Sequence, residues 1–323
     1  MQLLDASHGL LIRHDVAREI RVAGLEQHPL TVVELAAGKV VGDLRLVATR
    51  DDVVVGGLQT LFGCDDPGNH YALKRRRLRQ LKFRRGTAIL LGVANSDNYY
   101  HWLMDAVPRW KILLAANILK YDFVLLPGQP SQFQEETLDR LKVPPEKRLR
   151  CSKNLVHQFD RLVVPSMGFP LEEVTPWACE WVRSLFPEKI SGPGKIYLTR
   201  RGAGRRRLVN ESEIETILVS RGFTIIQPEQ LSVAEQAGIF RSSRWVVAPH
   251  GAALTNVVFM EPGGSVVELF HPRHKNRCYV NLAAVGGHRY ASLDGYITNN
   301  TGDRQLEYRI DVASVLEILE QIN

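Results

Sequence analysis

His101 and Asp105 stand four residues apart in Asn98-Tyr-Tyr-His-Trp-Leu-Met-Asp-Ala-Val-Pro-Arg109. On a helix that spacing puts the imidazole and the carboxylate on one face. A carboxylate beside an imidazole can orient it, raise its pKa, or itself serve as a general base. The competing reading is a partly buried pair that links two elements, and isolated pairs of this kind are more often structural. A second group of residues follows the apolar run at 245–248, in Pro249-His250-Gly251-Ala252-Ala253-Leu254-Thr255-Asn256. Gly251 and Ala252 have almost no side chain, so a ligand can approach the backbone there. If a helix starts at this turn, its first N–H groups lack intrahelical partners and its dipole favours an anion such as phosphate. His250 can then donate to phosphate or to a sugar hydroxyl, or it is simply a turn residue. Thr255 and Asn256 lie one turn further on and can line the same pocket.

Glu268 ends the next apolar run, where a carboxylate can accept both hydroxyls of a ribose or sit as a strand-end charge in solvent. Arg200 and Arg201 end the run at 195–199, and guanidinium forks match phosphate oxygens in bidentate geometry. The segment 202–204, with two glycines, can fold over a ligand. Arg205, Arg206 and Arg207 add charge, and at least one of them reads as a solvated loop cation.

Several absences narrow the chemistry. No Asp-x-Asp occurs, so the usual carboxylate clamp for a metal-bound diphosphate is missing. G-x-G-x-x-G, G-x-x-x-x-G-K-[ST] and G-x-S-x-G are absent too, which argues against a dinucleotide oxidoreductase, a P-loop phosphotransferase and a serine hydrolase. His271-Pro-Arg-His274 resembles a metal pair but has no further ligand nearby in sequence, so it reads as a loop pair.

The elements that must hold these residues follow from periodicity. Short β-runs fall at 30–35, 44–48, 53–55 and 87–91, and a helix pattern spans about 98–119 with Pro108 expected to kink it or start a new turn. Strands follow at 123–126 and 161–164, with helices at 133–141 and 176–186. The break at 187–194 holds two prolines and two glycines and reads as an interdomain linker. Beyond it, strands at 195–199, 223–226, 245–248 and 265–270 alternate with helices at 211–220, 233–240, after the 249–251 turn, and at 276–285. Capping-box spacing opens two of those helices, at Asn210–Glu213 and Ser232–Glu235. A final amphipathic helix covers 312–322. Strands alternating with helices predict a mostly parallel sheet covered on both faces. Ligands in such sheets sit beyond the carboxyl ends of the strands. The expected division is residues 1–188, 195–310, and a C-terminal helix at 311–323.

A length of 323 residues fits two domains of roughly 150 each. The net charge of +6 is concentrated at 200–207 and in Lys74-Arg-Arg-Arg-Leu-Arg-Gln-Leu-Lys-Phe-Arg-Arg85. Such clusters imply anionic partners. With Leu78, Leu81 and Phe83 interspersed, the second cluster reads either as a solvated basic face or as an interfacial segment at an anionic membrane. Cys64, Cys151, Cys179 and Cys278 show neither metal nor redox spacing, so free thiols in a reducing compartment are expected. The first residues lack a signal-peptide pattern and no apolar stretch approaches the ~20 residues of a membrane span, so a cytoplasmic protein with at most peripheral membrane contact is expected.

Taken together, three segments resemble glycosyltransferase family 61: 98–109; Tyr197-Leu-Thr-Arg200-Arg201 with Arg206 and Asn210-Glu211; and 249–256 through Pro262-Gly-Gly-Ser-Val-Val-Glu268. Their order and spacing match over roughly 85–290, and the first eighty residues show no specific resemblance. The resemblance implies an α/β GT-B-like fold, with two Rossmann-like domains facing a central cleft. It also implies an inverting, metal-independent transfer from a nucleotide-sugar to a carbohydrate or lipid-linked acceptor, with no separate cofactor and no specific nucleic acid. Within the family, the chain resembles the bacterial members linked to capsule or other surface polysaccharide. On this reading Asp105 is the first candidate base and His101 the second, with Asn98 and Arg109 on the acceptor side. Arg200, Arg201, Arg206, Asn210, His250, Gly251, Ala252, Ala253, Thr255, Asn256 and Glu268 line the donor side. The rival classes are a non-enzymatic binder of RNA or anionic lipid, and a nucleotide-sugar-modifying enzyme on the same fold.

Overall fold

A computed structural model of the chain describes residues 3–5, 17–25, 30–42, 46–56, 80–118, 120–167, 173–188, 190–202, 206–297 and 307–321. The chain divides into two compact units, Met1–Leu171 and Glu172–Asn323. Both are mixed α/β.

The first unit contains β1 (Leu3–Asp5), β2 (Ala17–Val22), β3 (Leu30–Ala36), β4 (Lys39–Val41), β5 (Leu46–Ala48), β6 (Val54–Gly56), β7 (Gln80–Leu90), α1 (Val107–Ala115), β8 (Phe123–Leu126), α2 (Gln132–Arg140), β9 (Arg148–Arg150) and β10 (Leu155–Pro165). β10 is central. It runs parallel to β7 and antiparallel to β3 and β4, and β7, β8 and β9 continue the parallel part. Val33, Leu35, Ala88, Leu125, Phe159 and Leu162 lie in its core. β10 extends well beyond the run at 161–164 that hydrophobicity marks. Its first half carries polar residues and is held by ladder pairing to β4 and β7.

The helix pattern from residue 98 is not one α-helix. His101–Ala106 forms a π-turn, and α1 begins at Val107 with Pro108 in its first turn. Proline has no N–H and its ring crowds the carbonyl four residues back. The helix answers by widening: the Val107 N–H bonds the Trp102 carbonyl, five residues back.

The second unit contains α3 (Pro176–Leu185), β11 (Lys195–Leu198), α4 (Glu211–Ser220), β12 (Thr224–Ile226), α5 (Val233–Ser242), β13 (Trp245–Pro249), β14 (Ser265–Phe270), α6 (Cys278–Val285), β15 (Arg289–Asp294), β16 (Tyr296–Ile297), β17 (Tyr308–Arg309) and α7 (Val312–Gln321). Five strands form a wholly parallel sheet in the order β12-β11-β13-β14-β15. Ile214 and Leu218 of α4 and Val315 and Leu319 of α7 share a core with Tyr197, Val247 and Val267 of the sheet.

α3 belongs to this unit, ahead of the 187–194 break. Phe186 packs edge-on against Phe259 at 5.8 Å, and Arg241 of α5 donates to the carbonyls of Phe186 and Glu188. The proline and glycine cluster at 187–194, expected from composition to be a linker, falls inside the second unit, whose first residue is Glu172.

Of the two capping boxes, Ser232–Glu235 forms with both reciprocal bonds. The Asn210 box does not, because each partner is engaged elsewhere. Asn210 bonds the Ile310 backbone through both its amide atoms, and Glu213 pairs with Arg309. No helix among the described residues is long and apolar enough to cross a membrane.

Candidate active site

In the second unit, the chain leaves β11 for β12 on one side and leaves β13 for β14 on the other. Crossovers that diverge in this way open a crevice at the carboxyl ends of the two central strands. Arg200 lies two residues past β11, and His250 immediately follows β13. The Arg200 backbone N–H donates to Glu211 Oε1 at 2.6 Å, and its Nη1 donates to the His250 carbonyl at 2.5 Å. Its guanidinium is thus tied to the turn.

Gly251 is extended, a conformation open to any residue. What the glycine supplies is space. A Cβ there would lie 3.5 Å from Arg200 Cδ and Nε, so any larger branch would press on the guanidinium. The next eight residues, Ala252–Phe259, form a 3-10 helix rather than the expected α-helix. Every residue from Leu254 to Phe259 is buried, and the β-branched Thr255, Val257 and Val258 disfavour an α-helix. The first internal bond is Leu254 N–H to the Gly251 carbonyl at 3.0 Å. The half-buried amides of 251–253 therefore precede the helical ladder, beside Arg200.

Beneath the turn lies a polar core. Glu268 is fully buried; Oε1 accepts from His250 Nδ1, and Oε2 accepts from the Tyr290 hydroxyl at 2.6 Å. Both carboxylate oxygens are thus engaged inside the protein, where a strand-end charge in solvent or a carboxylate open to a ribose was expected. The His250 ring stacks on Phe270 at 5.2 Å and meets His274 and Tyr279 at 5.1 and 5.4 Å. Its Nε2 lies 3.3 Å from Asn276 Nδ2. Burial and the Glu268 charge push the Tyr290 phenol well above its usual range. Burial, then Arg206, lowers His274 to about 4, so it is uncharged at neutral pH. The positive charge here comes from Arg200 and Arg206.

Other expected donor residues are bonded within the protein. Arg201 pairs with the buried Glu215 on α4. Asn210 ties down Ile310. Thr255 Oγ1 donates to the Ala252 carbonyl at 2.7 Å, and Asn256 Nδ2 donates to Gln236 Oε1 at 2.6 Å. Thr255 and Asn256 lie in the turn segment but are fully buried, whereas the Arg201 side chain stays exposed. Arg206 adopts a left-handed backbone (φ 54°) and stays within electrostatic reach of His274 and Tyr308. Residues 203–205 lie outside the described residues. His274, Asn276 and Tyr290 went unrecognised as neighbours of the site. The histidines gave a weak signal as a pair, and Tyr290 gave none, because β15 is a half-exposed edge strand without an apolar run. Among the described residues, no three His, Cys, Asp or Glu side chains come together as a metal-binding set.

In the first unit, His101 Nδ1 and Asp105 Oδ2 are 2.7 Å apart across the π-turn. The Asp105 side chain is 7% exposed and that of His101 is 21%. Burial raises the Asp105 pKa, opposed by the His101 hydrogen bond and by the charges of His101 and Arg109. Arg109 is fully enclosed. Its Nη1 donates to the carbonyls of Leu91 and Gly92, each at 3.1 Å, and Nη2 donates to that of Pro165 at 2.6 Å. It closes the ends of β7 and β10 rather than presenting itself to an acceptor, and burial lowers its pKa to about 9. Asn98 is exposed and caps the helix start, accepting the Tyr100 N–H at 2.9 Å.

Residues 99–267, more than half of the 323, match the family model Glycosyltransferase 61. The matched span begins at the helix that carries His101 and runs through the Arg200 and His250 turns. The chain belongs to glycosyltransferase family 61, and it is a glycosyltransferase. Such enzymes in general take a sugar from a nucleotide-sugar to a carbohydrate acceptor, which decides against the non-enzymatic polyanion binder. No curated protein matches the chain.

Proposed function

We propose that the chain is an inverting, metal-independent glycosyltransferase of GT-B type, with the donor diphosphate on the second unit and the acceptor base on the first. The observation that carries this reading is the cradle at the strand ends, where Arg200 is bonded to the His250 carbonyl beside the amides of 251–253. Charge develops on the leaving diphosphate as the bond to the anomeric carbon breaks, and preorganised cations and amides stabilise it there. Arg206 adds to the same field.

The acceptor hydroxyl attacks the anomeric carbon from the opposite side, so the new glycosidic bond has inverted configuration. Its proton passes to His101, with Asp105 holding Nδ1 from behind. This reverses the order suggested by sequence, because the carboxylate is the more buried partner. The acceptor is a hydroxyl of a carbohydrate or lipid-linked carbohydrate in surface-polysaccharide synthesis, of capsular or related type, at the cytoplasmic side of a membrane. The exposed Leu81 and Phe83 at the start of β7, beside Lys82, Arg84 and Arg85, support a peripheral contact with anionic lipid. The rest of that basic segment, residues 74–79, lies outside the described residues. No cofactor beyond the nucleotide-sugar is invoked.

The test is a thermal-shift panel of nucleoside diphosphates and nucleotide-sugars in EDTA, followed by NMR of the transfer product. A ligand at about 100 times its Kd adds about 2.7 kcal/mol of stability, a shift of several degrees. At least one nucleotide should produce it, and the product anomer should be opposite to the donor's. Binding or turnover seen only with Mn²⁺ or Mg²⁺, or a product of retained configuration, would overturn the proposal.

A further inference from the structure

The Glu268 carboxyl group lies at the floor of the turn yet reaches no solvent. The geometry points to a positioning role: Glu268, held by Tyr290, acts through His250 to fix the Arg200 guanidinium that meets the donor diphosphate. This rests on the reading of that turn as the diphosphate site.

The chain of contacts is continuous. The Tyr290 hydroxyl donates to Glu268 Oε2 at 2.6 Å, and His250 Nδ1 donates to Oε1. A carboxylate can only accept, so the Nδ1 proton is fixed on His250, and Nε2 faces the Asn276 amide at 3.3 Å. The ring is pinned from its face by Phe270, while the His250 N–H bonds the Leu269 carbonyl at 2.9 Å. With side chain and N–H both held, the His250 residue is anchored on two sides, and its carbonyl receives Arg200 Nη1 at 2.5 Å. Glu211 holds the Arg200 backbone at 2.6 Å, so Arg200 is tied at its main chain by Glu211 and at Nη1 by the His250 carbonyl. A fork held in this way is pre-organised for bidentate contact with a diphosphate.

A positioning carboxylate and a ribose-binding carboxylate differ in which part of the nucleotide feels their loss. The experiment uses calorimetry on the full chain with UDP and GDP against uridine and guanosine, in wild type, Glu268→Ala, Glu268→Gln, Tyr290→Phe, Arg200→Ala and the Glu268→Ala/Arg200→Ala pair. Glu268→Ala should weaken the bound diphosphate about tenfold and leave the matching nucleoside unchanged, and the pair should be no weaker than Arg200→Ala alone within about twofold, because the two act as one unit. Glu268→Gln keeps an acceptor for Nδ1–H and should bind within about threefold of wild type. Tyr290→Phe guards against a Glu268→Ala chain that does not fold: it removes one hydroxyl and should cost the diphosphate a few-fold and the nucleoside nothing.

Equal losses for nucleoside and diphosphate, or losses that add in the pair, would make Glu268 a direct ribose ligand and overturn the assignment while leaving the donor site in place. A wild-type chain that binds none of the four ligands would overturn the donor-site reading, and the assignment with it.

Discussion

His101 and Asp105 share one hydrogen bond but differ in environment, and the difference separates their roles. Burial raises the Asp105 pKa, so its charged form is disfavoured by the fold; this carboxylate costs stability at neutral pH rather than adding it, and the cost falls as pH drops through its raised pKa. Asp105→Asn keeps an acceptor for Nδ1 and should melt at or above the wild-type temperature at pH 7. Turnover in the same variant should fall by about 10²–10⁴-fold, the range for disabling acid–base catalysis. His101→Ala should be at least as impaired, with nucleotide binding retained in both. An Asp105→Asn enzyme that keeps wild-type kcat while His101→Ala is inactive leaves His101 as base without a working carboxylate; if both keep their rates, the pair is structural. At this scale the sequence was informative about type and spacing and weak about direction. Motif spacing put His101 with Asp105 and Arg200 with His250, and the fold brings each pair together. The sequence could not tell that Arg109, Asn210, Thr255, Asn256 and Glu268 face inward, because burial is decided by elements distant in the chain.

Single residues also decide the form of the elements. Pro108 converts a predicted kink into a π-turn, and the β-branched run after Ala253 tightens an expected α-helix to 3-10. Local capping spacing was met at Ser232 and overridden at Asn210 by a contact a hundred residues away. The apolar central strands of the second unit were readable, whereas β15 and the first half of β10 lack an apolar run and are specified by neighbouring ladders. β10 also carries a pH liability. His157 is 1% exposed, its Nδ1 accepts from Arg84 Nη1 at 2.7 Å, and burial with the Arg84 and Lys82 charges lowers its pKa to about 4. The unfolded histidine titrates near 6.5, so the unfolded state binds the extra proton between pH 6.5 and 4. Stability is complete above that window and is lost as pH falls through it. From pH 7 to 5 this histidine should account for roughly 2 kcal/mol of lost stability. Denaturant titrations at both pH values, in wild type and His157→Gln, check this. An identical pH dependence in the two proteins would show that His157 does not sense the change.

At the scale of the whole molecule, the two units carry different loads. The second is a parallel sheet whose switch point is built around one arginine and one turn, and the alternation of strands and helices made that arrangement visible in advance. The first adds an antiparallel meander to its parallel strands, and nothing in its short β-runs predicted how they pair. It also carries the exposed pair Leu81, 52% open, and Phe83, 51% open, within a segment of eight basic residues and no acidic ones at 74–85. Each basic residue near an anionic surface contributes about 1 kcal/mol. The chain should therefore co-sediment with vesicles containing phosphatidylserine at low salt and not with neutral vesicles, and Leu81→Ser/Phe83→Ser should weaken that binding. Equal binding of the double variant would remove the apolar contact from consideration, and no binding by wild type would remove the membrane.

The donor cradle itself is probed most directly at Gly251, where the backbone tolerates any residue and only space beside Arg200 is at stake. The measurement is calorimetric titration, in EDTA, of the best nucleoside diphosphate into wild type and Gly251→Val, with circular dichroism on both. The expected result is micromolar-range or tighter binding to wild type and a loss of at least about 30-fold, or roughly 2 kcal/mol, in a variant with an unchanged spectrum. Equal affinity in a folded Gly251→Val chain would contradict a donor diphosphate seated on this turn.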